Sequence, residues 1–111
     1  MYQPPHFRIE DQEDILGLIQ AHPLGLLISA GAGGLLANPV PFVAVQIDGM
    51  VDLRCHLARP NPQWQALEQG AEALAVFQGD GAYVTPSWYE TKRETGKVVP
   101  TWNYMIVQAR G

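Results

Sequence analysis

With 111 residues, 47% hydrophobic and 16% charged, the chain has the length of one domain and enough apolar content for a single core. Its formal net charge of −4 disfavours direct nucleic-acid binding, which draws its affinity from a basic face. The single cysteine, Cys55, excludes an intramolecular disulfide, and no apolar run approaches the roughly 20 residues of a membrane helix.

Met1 to Glu10 reads as an extended arm, because Pro4-Pro5 opposes a helix. Asp11 is placed as an N-cap, and Ile15, Leu18 and Ile19 fall on one helical face before His22-Pro23 stops the helix. Leu24 to Ala30 is a short apolar run suited to a buried strand. Gly31 to Gly34 is a turn: it lacks the Lys-Ser/Thr of a P-loop and opens no helix. Leu35 to Val45 resumes as a strand. Pro39 and Pro41 lie within it, and a residue without an N–H confines this strand to an edge, a bulge or a bend. Asp48-Gly49 marks a hairpin, and Met50 to Leu57 follows as a strand. Cys55 sits in this apolar stretch and is expected to be a buried thiol. Asn61 caps a second short helix with Pro62 at its first position, Trp64 and Leu67 share a face, and Gly70 ends it. Ala71 to Gln78 is a strand, Asp80-Gly81 a turn, Ala82 to Val84 a brief strand, Thr85 to Pro100 a long loop, and Trp102 to Ala109 a closing strand. Six short strands with tight hairpins and two small helices predict a mainly β domain, a closed or partly closed antiparallel barrel.

Two regions carry candidate chemistry. The first is His56-Leu-Ala-Arg59-Pro-Asn61-Pro-Gln-Trp64. A helix start offers unpaired backbone N–H groups, and Arg59 beside it adds a cationic fork, which together suit a phosphate. The same residues also fit a plain cap at Asn61 with Arg59 in solvent, and spacing alone slightly favours that. The second region runs from Tyr83 to Tyr104. It holds two of the three Trp and three of the four Tyr, together with Lys92 and Lys97. Rings with polar handles suit a flat, partly polar ligand, or equally a loop packed on the barrel beneath. Asn38, polar within an apolar run, either bonds backbone near Pro39 or faces a ligand. His6, His22 and His56 are too scattered for a metal site, and no acid–base or nucleophilic triad stands out.

The blocks Met1–Arg8, Ala37–Pro41, His56–Trp64, Phe77–Gly79, Tyr83–Tyr89 and Lys97–Tyr104, in this order over the whole chain, resemble the PaiB-type FMN-binding negative transcriptional regulators. The resemblance implies a six-stranded antiparallel split β-barrel of the pyridoxamine 5′-phosphate oxidase-like kind over residues 1–111, a homodimer with FMN at the subunit interface. Carried over by position, His56, Arg59 and Asn61 would contact the phosphate. Trp88, Tyr89, Lys92, Thr101, Trp102 and Asn103 would line the flavin ring or the dimer contact. Members of that family continue past the equivalent of Gly111 into a partly helical second half. The implied activity is flavin-dependent redox chemistry or sensing, which needs no acid or base from the protein because the cofactor carries the chemistry. The alternatives are a non-catalytic dimerisation module acting in transcriptional repression, or a heme-binding split barrel. With no basic start followed by an apolar core to mark a signal peptide, the cytoplasm is the expected compartment.

Overall fold

The computed structural model describes residues 1–84 and 101–111. The protein is mainly β with two helices: α1 (Gln12–Ala21) and α2 (Gln63–Glu68), with strands β1 (Leu24–Gly31), β2 (Gly34–Ile47), β3 (Met50–Cys55), β4 (Glu72–Gln78), β5 (Ala82–Val84), β6 (Thr101–Asn103) and β7 (Ile106–Arg110). Five antiparallel strands in the order β3-β2-β1-β4-β7 form a curled half-barrel, and β5 pairs with β6 in a separate two-stranded ribbon. The expected six-stranded barrel is thus not what the described residues form. The predicted closing strand is broken at Tyr104-Met105 into β6 and β7, which pair with different partners. The arm also carries one 3₁₀ turn, Pro5–Phe7, where a proline at the first helical position loses no bond.

Local chemistry explains most boundaries. Asp11 accepts the Glu13 N–H at 2.9 Å and caps α1, as its position before the apolar periodicity predicts. The β2–β3 turn puts Asp48 at φ 51° and Gly49 at φ 77°, the left-handed pair that matches strand twist in a two-residue hairpin.

The prolines of β2 are explained by edge geometry. Gly34–Pro41 pairs with β1, whereas Phe42–Ile47 pairs with β3, so the first half of β2 has a strand on one side only. The Phe42 N–H donates to the Pro23 carbonyl at 2.8 Å. Backbone direction alternates along a strand, so Pro39 and Pro41 turn their missing donor to the free edge.

Both helices lie on one face of the sheet. The core there joins Leu18 and Ile19 of α1 to Leu27, Val40, Phe42, Ala75 and Phe77 of the strands. Phe42 and Phe77 meet edge to face, with ring centroids 5.1 Å apart. Gly25 lies under this pair, where a Cβ would stand 2.7 Å from the Phe77 ring, so the position has no room for a side chain. Gly31 plays the same part beneath α2, with the Ala66 Cβ 3.0 Å from its notional Cβ.

Among the described residues no helix covers the other face, the bare face of the sheet. Residues opposite one another in a ladder share a face, so Leu24, Leu26, Leu35, Val43, Ile47 and Met50 all point away from the helices. All six are exposed, Leu35 at 77% and Met50 at 74%. Among the described residues no helix is long and apolar enough to cross a membrane.

Candidate functional site

The segment from the end of β3 to α2 builds a surface depression with a single charged residue in its lining. Leu57, Arg59 and Trp64 line a cavity of about 330 Å³. The turn that carries Arg59 is fixed from two sides. The Asn61 N–H donates to the Ala58 carbonyl at 2.8 Å, and the Trp64 indole N–H donates to the Arg59 carbonyl at 3.0 Å. Trp64, which shares a helix face with Leu67 by its spacing, is 37% exposed and offers an indole wall to the cavity. Leu67 does pack against the core.

Of the four described arginines, Arg8 and Arg54 have carboxylate partners, Glu10 at 3.8 Å and Asp52 at 2.9 Å. Arg59 has none among the described residues, so its fork is available to an external anion. A cation, an indole and an apolar wall around one cavity are a donor set that fits a phosphate joined to a less polar body. The helix contributes less than its sequence promises. It starts at Gln63 with Pro62 at the cap by backbone geometry, one residue later than predicted, although Pro62 itself is already helical at φ −70° and ψ −10°. Asn61 still caps from outside, its Oδ1 accepting the Gln63 N–H at 3.0 Å. That leaves the Asn61 Nδ2 group as its donor to any ligand. A six-residue helix has little macrodipole to add.

His56 is exposed just after β3 and does not line the cavity. Thr101, Trp102 and Asn103 form β6, where Trp102 stands opposite Tyr83 and Asn103 opposite Ala82. Trp88, Tyr89 and Lys92, with most of the aromatic loop, lie outside the described residues.

Cys55 departs from its expected burial. It is exposed at the end of β3, an edge strand with a neighbour on one side only. Partial desolvation of the thiol still pushes its pKa up, which disfavours the thiolate. Its alkylation by iodoacetamide should therefore be slower at neutral pH than that of a free thiol, with the rate rising at higher pH. A rate profile matching free cysteine would contradict this.

Sequence reading missed Gln63. Its side chain is fully buried between α2 and the sheet. The Nε2 group donates to the Leu27 carbonyl at 2.9 Å and the Ser29 hydroxyl at 3.1 Å, with a longer contact to the Leu36 carbonyl at 3.4 Å. Its Oε1 accepts the Asn38 amide at 3.0 Å, so Asn38 bonds a buried side chain rather than backbone near Pro39 or a ligand. The signal was present in part, as Ser29 and Asn38 at inward positions of two apolar runs, which Gln63 of a mixed helix satisfies once packed.

Another depression among the described residues, about 400 Å³, lies on the bare face, with Ile28, Leu35 and Leu74 beside Glu72 and Arg110. Its rim carries a carboxylate and a guanidinium together, so it has no single sign of charge to offer an anion, unlike the Arg59 cavity.

Residues 1–111 match the sequence profile of a family described as "Putative FMN-binding domain". The chain is 32% identical over its full length to Protease synthase and sporulation protein PAI 2 of Bacillus subtilis, of which it covers 51%. An uncharacterized Saccharomyces cerevisiae protein is 34% identical, with all of this chain and 76% of that protein covered. An uncharacterized Emericella nidulans protein is 41% identical over 85% of this chain and 48% of its own. The chain thus spans about half the length of the Bacillus and Emericella relatives.

Proposed function

The chain belongs to this FMN-binding domain family, and on that premise we propose that it binds FMN as a homodimeric split barrel and works in flavin-dependent redox chemistry or sensing. The single observation that carries the reading is the cavity of Leu57, Arg59 and Trp64, where an arginine without a carboxylate partner among the described residues meets an indole wall. Arg59 holds the phosphate, with the Asn61 amide next to it in the chain; His56, outside the cavity, is assigned to the phosphate by its family position alone. The cavity is at the small end of ligand sites, roughly 300–1,000 Å³, which leaves the flavin ring to further residues. Those are Trp88, Tyr89, Lys92, Thr101, Trp102 and Asn103, from this subunit or its partner.

FMN, when bound, supplies the electron or hydride transfer. The chain's own residues bind, orient and shield it. The bare face of Leu24, Leu26, Leu35, Val43, Ile47 and Met50 supports the homodimer, because exposed apolar side chains sharing one sheet face are a common place for subunit contact. On this reading residues 1–111 are a single split-barrel domain, the half-barrel being closed across the subunit contact, and the site is cytoplasmic. A role in regulating transcription is downstream of flavin binding, through a partner rather than by direct DNA contact, given the net charge of −4.

The deciding experiment is an absorbance scan of the purified protein with an FMN titration followed by fluorescence quenching, and light scattering for mass. Flavin bands or saturable quenching, with a mass of two chains, are expected. A colourless protein indifferent to excess FMN would overturn the reading.

A further inference from the structure

From the buried contacts of Gln63 we infer that it is a positioning residue for phosphate recognition, setting where the Arg59 turn stands over the sheet. The inference rests on the phosphate reading above and names the device behind it. Three observations carry it. Gln63 is fully buried, yet it comes two residues after Asn61 and four after Arg59, so it anchors the segment that holds the candidate ligands. Its amide spans two strands at once, donating to Leu27 and Ser29 of β1 and accepting from Asn38 of β2. Its own backbone N–H is the group that Asn61 caps, so side chain and main chain of one residue tie the sheet to the turn.

The second anchor of α2 is steric. Ala66 sits over Gly31, whose absent side chain lets the helix approach. Between these two points the helix cannot slide along β1 without breaking a buried hydrogen bond or striking the strand. Trp64 lies between them in sequence, and its indole N–H holds the Arg59 carbonyl. The position of the guanidinium stem is therefore set from the core, although the guanidinium itself faces solvent.

The network is sensitive to one atom. In Gln63→Glu the side chain keeps its shape. While protonated it still donates one O–H to the Leu27 carbonyl. Once ionised it has no proton to give: Asn38 and the Ser29 hydroxyl can still donate to it, but the oxygen in the place of Nε2 is set against the Leu27 carbonyl, acceptor against acceptor. Of the groups around it, Leu27, Ser29, Leu36 and Asn38 are all neutral, so the substituted carboxyl is the titrating group there.

The test compares FMN with riboflavin, which differ by the phosphate, for the purified wild-type and Gln63→Glu proteins across pH. The expected result is an FMN preference close to wild type at low pH that falls about tenfold, relative to wild type at the same pH, as the carboxyl ionises, an effect of the size seen between coupled neighbours. Riboflavin affinity should hardly move. Equal losses for both ligands would overturn the inference, because a merely structural role weakens the whole site alike. Should Gln63→Glu not fold, Gly31→Ala shifts α2 from its other anchor and must also lower the FMN-to-riboflavin ratio; an unchanged ratio overturns the inference. Should wild-type protein bind neither flavin, the function proposed above fails, and amide exchange then judges Gln63. Faster exchange in Gln63→Glu at Asn61 and Gln63, with Leu27 and Ala75 still protected, supports the anchor, and uniform acceleration overturns it.

Discussion

Phe77→Ala is expected to lower the unfolding free energy by about 3–5 kcal/mol, the range for truncating a fully enclosed phenylalanine. The ring is 0% exposed and fills the space over Gly25 while standing edge to face on Phe42. The cavity left behind would have little means of closing. β4 is paired on both sides, with β1 and with β7, so the strand cannot move inward without breaking two ladders. Leu18 and Ile19 are held by α1, whose start is capped by Asp11. A loss of this size is a large part of the ~5–15 kcal/mol that keeps a domain folded. Denaturant titration of the variant reads it directly, and Phe77→Leu should recover a substantial share. A loss below ~1 kcal/mol would mean that the core is centred elsewhere than on the Phe42–Phe77 pair.

Arg59→Ala is expected to weaken FMN by roughly 1.5–3 kcal/mol, the cost of a hydrogen bond to a charged group, and to leave riboflavin nearly unchanged. Arg59 lines the cavity with Leu57 and Trp64 and has no carboxylate partner among the described residues, so its removal frees no buried acid and creates no core void. Stability should therefore be close to wild type, which separates a binding loss from an unfolding one. Arg59→Lys should fall between the two proteins, because an ammonium keeps the charge but not the two-point fork. Parallel titrations of both ligands decide the matter: equal losses for FMN and riboflavin would remove Arg59 from the phosphate.

The site was legible in part for an identifiable reason. Arg59 and Asn61 stand within one short segment, so their proximity is a matter of chain geometry and survives any fold. Asn61 was readable as a cap because the Asn-Pro signal is local, and the structure moves the helix start by a single residue. The role of Trp64 was not readable, because its indole reaches back to the Arg59 carbonyl rather than down into the core. Cys55 was misplaced because an apolar run does not reveal that its strand lies at a sheet edge.

By itself, the sequence determined the elements whose causes are local. These are the Asp11 cap, the Asp48-Gly49 hairpin, the turn after Gly31, and the amphipathic face of α1. Each depends on backbone preference or on hydrogen bonds within a few residues, so no distant partner is needed to read it. Tertiary structure alone decided the rest. Which strand flanks β2 at Pro39 and Pro41, which face of the sheet the helices cover, and which three polar side chains meet at Gln63 are all contacts between separate elements of the chain. Pairing between elements depends on which surfaces bury together and which polar groups satisfy one another, and that is a property of the packed molecule rather than of any stretch within it.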